Sequence, residues 1–88
     1  MRRSGGAATA RLTLYGRSYC HLCEEMLAAL EPLRAEFGFA VDVVHVDADT
    51  TLEQRFGALV PVLVHAGAEL CHYRLDLPKV RAYLVKIR

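Results

Sequence analysis

From Arg11 to Tyr15 polar and apolar residues alternate, and the alternation stops at Gly16. A period of two predicts a strand carrying Leu12 and Leu14 on one side. From Leu22 the period changes. Leu22, Met26, Leu30, Leu33 and Phe37 recur every three or four residues, with Cys23 and Leu27 beside that stripe. This is the pattern of an amphipathic helix. Pro32 falls inside it, and its missing N–H and bulky ring predict a kink or break near Ala28 to Glu31. Gly38 suits the C-terminal cap.

The β-branched run from Val41 to Val46 predicts a second strand. Thr50-Thr51-Leu52-Glu53 has the form of a capping box, which predicts a short helix running to Phe56 and closed by Gly57. Pro61 to His65 reads as a third strand, with proline at its first position. Ala66-Gly67 makes a tight turn, and Ala68 to Tyr73 returns as a fourth strand. Asp76 caps a last helix with Pro78 in its first turn, and Leu77, Val80, Leu84 and Ile87 give it one apolar face. The order is β-α-β-α-β-β-α. Its first unit needs parallel strands with a right-handed crossover, and its last strands form a hairpin. The expected α/β fold is a four-stranded mixed sheet with helices on both faces.

Composition narrows the function. The 88 residues are enough for one domain, and 53% hydrophobic content is too apolar for a disordered chain. We place this domain at 11–88, after a flexible tail at 1–10. A formal charge of +1 gives no basic face for nucleic acid. No run approaches the ~18 apolar residues of a membrane span. Met1-Arg2-Arg3 is basic, but the following Ser4 to Ala10 lacks the Leu-rich core of a secretion signal, so a cytoplasmic protein is expected.

The chemistry centres on Tyr19-Cys20-His21-Leu22-Cys23. Cys20 falls in the turn between strand and helix, and Cys23 in the helix's first turn. Helical spacing brings their sulfurs within bonding distance. Unpaired N–H groups and the partial positive charge of the helix start favour a thiolate. Cys20, nearer the end, is expected to be the exposed nucleophile. Cys23, one turn in, is placed to resolve a mixed disulfide. By itself Cys-x-x-Cys also serves as half of a zinc site, or as two core cysteines. Its position at the first strand-to-helix junction of a β-α-β unit points to dithiol redox work. His21, if protonated, favours the thiolate, whereas Glu24 and Glu25 oppose it.

These residues resemble the thioredoxin-like superfamily, and within it the glutaredoxins. Leu14-Tyr15-Gly16-Arg17-Ser18-Tyr19-Cys20-His21-Leu22-Cys23 is similar to their first strand, basic residue and dithiol. Val60-Pro61-Val62 resembles the superfamily's Val-Pro pair, whose proline is cis. The Cys-His-Leu-Cys-Glu-Glu segment looks like that of a small bacterial glutaredoxin-like family. The resemblance implies a thioredoxin-like fold and a thiol–disulfide oxidoreductase, with Cys20 and Cys23 catalytic. It implies that Val60 and Pro61 offer a backbone edge to the substrate. Arg17 would meet a glutathione carboxylate, and Tyr19, His21 and Arg74 complete the substrate-contacting set. The implied partners are a disulfide-bearing protein or small thiol, and an electron donor that is either glutathione or a reductase.

Two departures disfavour glutathione as co-substrate. His21-Leu22 stands where glutaredoxins have Pro-Tyr, and Cys71 to Asp76 lacks their Gly-Gly pair. Arg74 either replaces that contact or another dithiol is the donor. No tightly bound cofactor and no metal are expected, and the protein is expected to be a monomer. Cys71, counted across the Ala66-Gly67 turn, pairs opposite Val62, either near the active end or simply buried. Cys20, Cys23, Cys71 and His72 together would make a Cys₃His zinc site, the alternative to redox work alongside a non-catalytic binding module. His45 and His65 are expected on partly exposed strand faces. Asp47 and Asp49 read as turn and cap residues, the former within possible reach of the dithiol. Tyr15, Tyr19, Phe37, Phe39 and Phe56 read most simply as core or rim.

Overall fold

The computed structural model describes residues 10–87. Strand β1 (Arg11–Gly16) leads into helix α1 (His21–Phe37) and strand β2 (Ala40–His45). A 3-10 turn (Val46–Ala48) connects to α2 (Thr50–Phe56), followed by β3 (Val62–His65), β4 (Ala68–His72) and α3 (Leu77–Ile87). The strands lie in the order β2-β1-β3-β4. β1 and β2 are parallel, and the other pairs are antiparallel. The mixed four-stranded sheet anticipated from the sequence is thus the observed one. Of the expected tail at 1–10, residues 1–9 lie outside the described residues. Ala10 is buried, and its carbonyl accepts the Ala40 N–H at 3.0 Å. Among the described residues no helix is long and apolar enough to cross a membrane.

Strand alternation sorts the side chains into two cores. Leu12, Leu14 and Leu63 point to one face, where Met26, Leu30, Leu33 and Phe37 of α1 and Val80 and Leu84 of α3 cover them. Tyr15 and Val62 point to the other, where Val46 and Phe56 meet them. There the Tyr15 and Phe56 rings stack with centroids 4.2 Å apart.

Three local expectations are corrected. Pro32 does not end α1, which runs unbroken through it. Leu30 and Leu33 on either side are buried in the same core, and Pro32 itself is exposed, so packing holds both halves. The N-cap of α2 is Asp49 rather than Thr50. Its carboxylate accepts the Thr51 and Leu52 N–H groups at 2.9 and 3.2 Å, which frees Glu53 for another partner. Cys71 pairs with Leu63, not Val62. The Ala66-Gly67 turn, with φ of 51° and 83°, sets the hairpin as its sequence suggests. A bulge between Leu63 and Val64 then places Leu70 as an extra residue and shifts Cys71 by one position. The remaining boundaries differ by a residue: Val46 opens the 3-10 turn, Pro61 precedes β3, and Tyr73 follows β4. Asp76 caps α3 as expected, its carboxylate accepting the Lys79 N–H at 3.2 Å.

Candidate active site

Cys20 is the N-cap of α1, with extended backbone (φ −101°, ψ 107°). Its sulfur accepts the Cys23 N–H at 3.1 Å, filling the role an Asp or Ser oxygen plays at most helix starts. The two cysteines are joined as a disulfide with Cα atoms 5.2 Å apart, inside the usual span for such a bond. Cys20 is partly exposed, whereas Cys23 is only 7% exposed. The asymmetry expected of an outer and an inner thiol is therefore present. On reduction, the helix N–H groups that now meet a neutral sulfur would stabilise negative charge on Cys20. Gly16 lies beneath: a Cβ there would stand 3.0 Å from the Cys23 sulfur. The absence of a side chain is what lets the inner cysteine sit against β1.

The loop before Cys20 is braced from the opposite face of the sheet. Arg17 donates two hydrogen bonds to the Glu53 carboxylate at 2.9 and 2.8 Å and a third to the Gly57 carbonyl at 2.7 Å. The Ser18 N–H donates to the Asp47 carboxylate at 3.4 Å. The Arg17 guanidinium holds the Glu53 carboxyl below the usual carboxylate range. Asp47 thus faces the loop that carries the dithiol. Tyr19, next in line, adopts a left-handed backbone (φ 57°) and is fully exposed at 101%.

Residues 11–85 match the family described as the glutaredoxin-like domain (DUF836). The chain belongs to that family. A solution NMR structure of a protein from Nitrosomonas europaea is 40% identical, with a TM-score of 0.79 over 85% of this chain and 91% of the other. A crystal structure from X. campestris is 41% identical, with a TM-score of 0.72 over 88% and 99%. Oxidised thioredoxin O1 from Arabidopsis thaliana is 14% identical, with a TM-score of 0.62 over 91% and 78%, which shows a shared fold. No curated protein matches the chain. The fold of this glutaredoxin-like domain is thioredoxin-like, and its Cys20–Cys23 pair stands at disulfide distance, consistent with a redox role.

The other sequence-selected residues fall on several elements. His21 is exposed on the first turn of α1, 3.9 Å from Glu25. Arg74 reaches the same glutamate from beyond β4 at 3.4 Å. The Val60–Pro61 bond is cis. The Pro61 carbonyl accepts the Tyr73 N–H at 2.9 Å, and the Tyr73 hydroxyl donates to the Ala58 carbonyl at 3.0 Å. Tyr73, left-handed at φ 66°, therefore ties the end of β4 to the segment before β3. Cys71 is a buried free thiol, and burial pushes its pKa up against a backbone hydrogen bond from Asp76. Among the described residues no three His, Cys, Asp or Glu side chains converge to hold a metal, so the Cys20, Cys23, Cys71, His72 set is not assembled. His65 is tied to the Tyr83 hydroxyl at 2.5 Å.

Sequence reasoning missed Glu53, which the Thr-x-x-Glu pattern assigned to a cap, and Gly16, which it read only as a strand end. Asp49 and Thr50 both satisfy cap chemistry, so nothing local marked Glu53 as free for Arg17. The signal for Gly16 was its place just before the dithiol loop. His45 also lies near the dithiol, at the end of β2, where it shares a cleft with both cysteines.

Proposed function

We propose that this glutaredoxin-like domain is a thiol–disulfide oxidoreductase acting on protein or low-molecular-weight disulfides. The observation that carries the reading is the Cys20 sulfur at the N-cap of α1, accepting the Cys23 N–H and bonded to the Cys23 sulfur. In the reduced form, the Cys20 thiolate attacks one sulfur of a substrate disulfide. A Cys20–substrate bond forms, the substrate S–S bond breaks, and the far sulfur leaves as a thiolate that takes a proton. Cys23 then gives up its proton and attacks the Cys20 sulfur. The 20–23 disulfide closes and the second substrate thiol is released. Two electrons pass from the domain to the substrate; Cys23 supplies one proton and, because Cys20 starts as a thiolate, solvent supplies the other. Two thiol equivalents, from a dithiol reductase or a small thiol, restore the dithiol.

In this reading Val60 and Pro61 offer the substrate a backbone edge, and the exposed Tyr19 and His21 flank Cys20 in the chain. Arg74 is a weaker candidate, since Glu25 already holds it. Arg17 as a glutathione ligand requires opening three hydrogen bonds to Glu53 and Gly57. Together with the missing glycine pair, this favours a polypeptide disulfide over a glutathione one. A cytoplasmic, monomeric protein is part of this proposal.

The test is a pair of variants. Cys23→Ser removes the resolving thiol and is expected to accumulate mixed disulfides at Cys20, seen by mass spectrometry. Cys20→Ser is expected to lose all disulfide reductase activity. A parent chain without disulfide reductase activity, together with no mixed disulfide trapped by Cys23→Ser, ends the reading and leaves a binding module.

A further inference from the structure

Beside the disulfide lies a cleft of about 360 Å³, between the first turns of α1 and the C-terminal end of β2. It falls in the size range of small binding sites. Its origin is topological. β2 is an edge strand, and α1 covers β1 more fully than it covers β2. Leu14 and Val43 are register partners pointing to the same face, yet Leu14 is fully buried and Val43 is 47% exposed. The floor is apolar: Leu14, Leu27, Val43 and the side of Cys23. Tyr19, Glu24 and His45 form the rim. Both cysteines of the dithiol line the space, so whatever enters it lies beside the reacting pair.

The charges decide which ligand fits. Among the described residues Arg17 is the only arginine or lysine lining the cleft, and its donors go to Glu53 and the Gly57 carbonyl. Glu24 adds a carboxylate to the rim. A small thiol bearing carboxylates, such as glutathione, meets an anion here and no uncommitted arginine or lysine. An uncharged apolar group meets an apolar floor.

We infer that this cleft is a substrate subsite that takes an apolar side chain adjacent to the reacting cysteine of a polypeptide disulfide. The inference rests on the oxidoreductase reading and names its substrate class. The substrate chain crosses Cys20 with one flank toward Val60 and the other in the cleft beside β2. An apolar pocket that exchanges a leucine for an aspartate is expected to discriminate by roughly tenfold or more in rate.

The test uses the reduced full chain and two peptide disulfides, homodimers of a capped Gly-Leu-Cys-Leu-Gly and of its Asp-flanked counterpart. The second-order rate of 20–23 disulfide formation is read by the loss of two hydrogens in the mass. Each rate is divided by that of dithiothreitol with the same peptide, which removes intrinsic differences between the two disulfides. The leucine peptide is expected to be preferred at least tenfold. Val43→Glu is expected to bring the ratio near one, whereas Val85→Glu, an exposed α3 change, keeps it. Should Val43→Glu fail to fold, Val43→Ser is expected to lower the ratio several-fold.

In parallel, the oxidised chain labelled with ¹⁵N is titrated with redox-inert serine versions of both peptides. The leucine version is expected to move the Leu27, Val43 and His45 amides. Reduction of both peptides with no preference, or a preference indifferent to Val43, overturns the subsite and leaves the oxidoreductase reading standing. If neither peptide is reduced, that reading fails, and the titration still decides the cleft: unmoved β2 amides overturn it.

Discussion

On one face of the sheet, Leu12, Leu14 and Leu63 lie under α1 and α3, sealed by aliphatic and aromatic side chains from both helices. On the other, Val46, Phe56 and Val62 form a small cluster under α2, and much of the remaining contact is polar. There Arg11 pairs with Asp42 across β1 and β2, Arg17 with Glu53, and the Asp49 carboxylate holds the start of α2. The dithiol lies on the thick side, because Cys23 faces Gly16 from α1. The loop presenting it is tied to the thin side through Arg17 and Ser18. The difference separates two tasks. Apolar burial on the thick face sets whether the chain folds, and polar bonds on the thin face set where Cys20 stands.

The largest effect is expected on the thick face. Leu30 is 1% exposed on the buried stripe of α1. Leu30→Ala removes apolar contact and leaves a cavity, and should cost about 2–5 kcal/mol, measured by urea unfolding. That is a large part of the ~5–15 kcal/mol typical of a small domain. A loss below ~1 kcal/mol would mean the thick face is not what holds the fold together.

The next effect lies on the thin face. Asp49→Ala leaves two N–H groups at the start of α2 without their acceptor and should cost about 0.5–2 kcal/mol. Thr50→Ala should cost less, since Thr50 is inside the helix rather than at its cap. This pair of substitutions also marks how far the sequence could be read. Period and cap signals placed every strand and α-helix but not the 3-10 turn, because burial imposes 3.6 on α1 and 2 on β1. The choice between Asp49 and Thr50 was not visible, because two adjacent residues both satisfy cap chemistry and only the backbone at 49 decides. The Cys71 register was missed for a similar reason: a bulge at Leu63 leaves no mark in the hydrophobic pattern. At the site, Cys20 and Cys23 were legible because their chemistry follows from position on one helix. The Arg17–Glu53 bond joins residues 36 apart on different elements, and no local pattern encodes it.

The brace offers a sharper division of the two tasks. Arg17→Met and Glu53→Gln are expected to move the unfolding midpoint little, as partly exposed ion pairs generally do. Both should raise the pH at which Cys20 becomes reactive, followed by the pH dependence of iodoacetamide alkylation in the reduced protein. The two substitutions change local charge in opposite senses. If Arg17 acted only as a nearby charge, Arg17→Met would raise the Cys20 profile and Glu53→Gln would lower it. Shifts in the same direction mark a positional role, and the double variant should then behave like either single one.

The smallest effect concerns acid. Hydrogen bonds from Arg11 and Arg17 hold the Asp42 and Glu53 carboxyls below the usual carboxylate range. In the unfolded chain both return to ordinary values near 4, so over the intervening pH the unfolded state binds more protons. The stabilisation from these two groups is therefore complete above the ordinary carboxylate range. It declines as the pH falls through that range and is gone below the depressed folded values. Both pairs are solvent-facing, so the effect is small and is screened by salt. Urea midpoints at pH 7, 5, 4 and 3 should fall toward acid, and Asp42→Asn should flatten part of that fall while changing little at pH 7. Added salt should reduce the difference between Asp42→Asn and the parent chain, and should leave the loss caused by Leu30→Ala unchanged, because apolar burial on the thick face carries no charge to screen. An acid slope untouched by Asp42→Asn would mean that other carboxyls, Glu53 first among them, carry it rather than the Arg11–Asp42 pair.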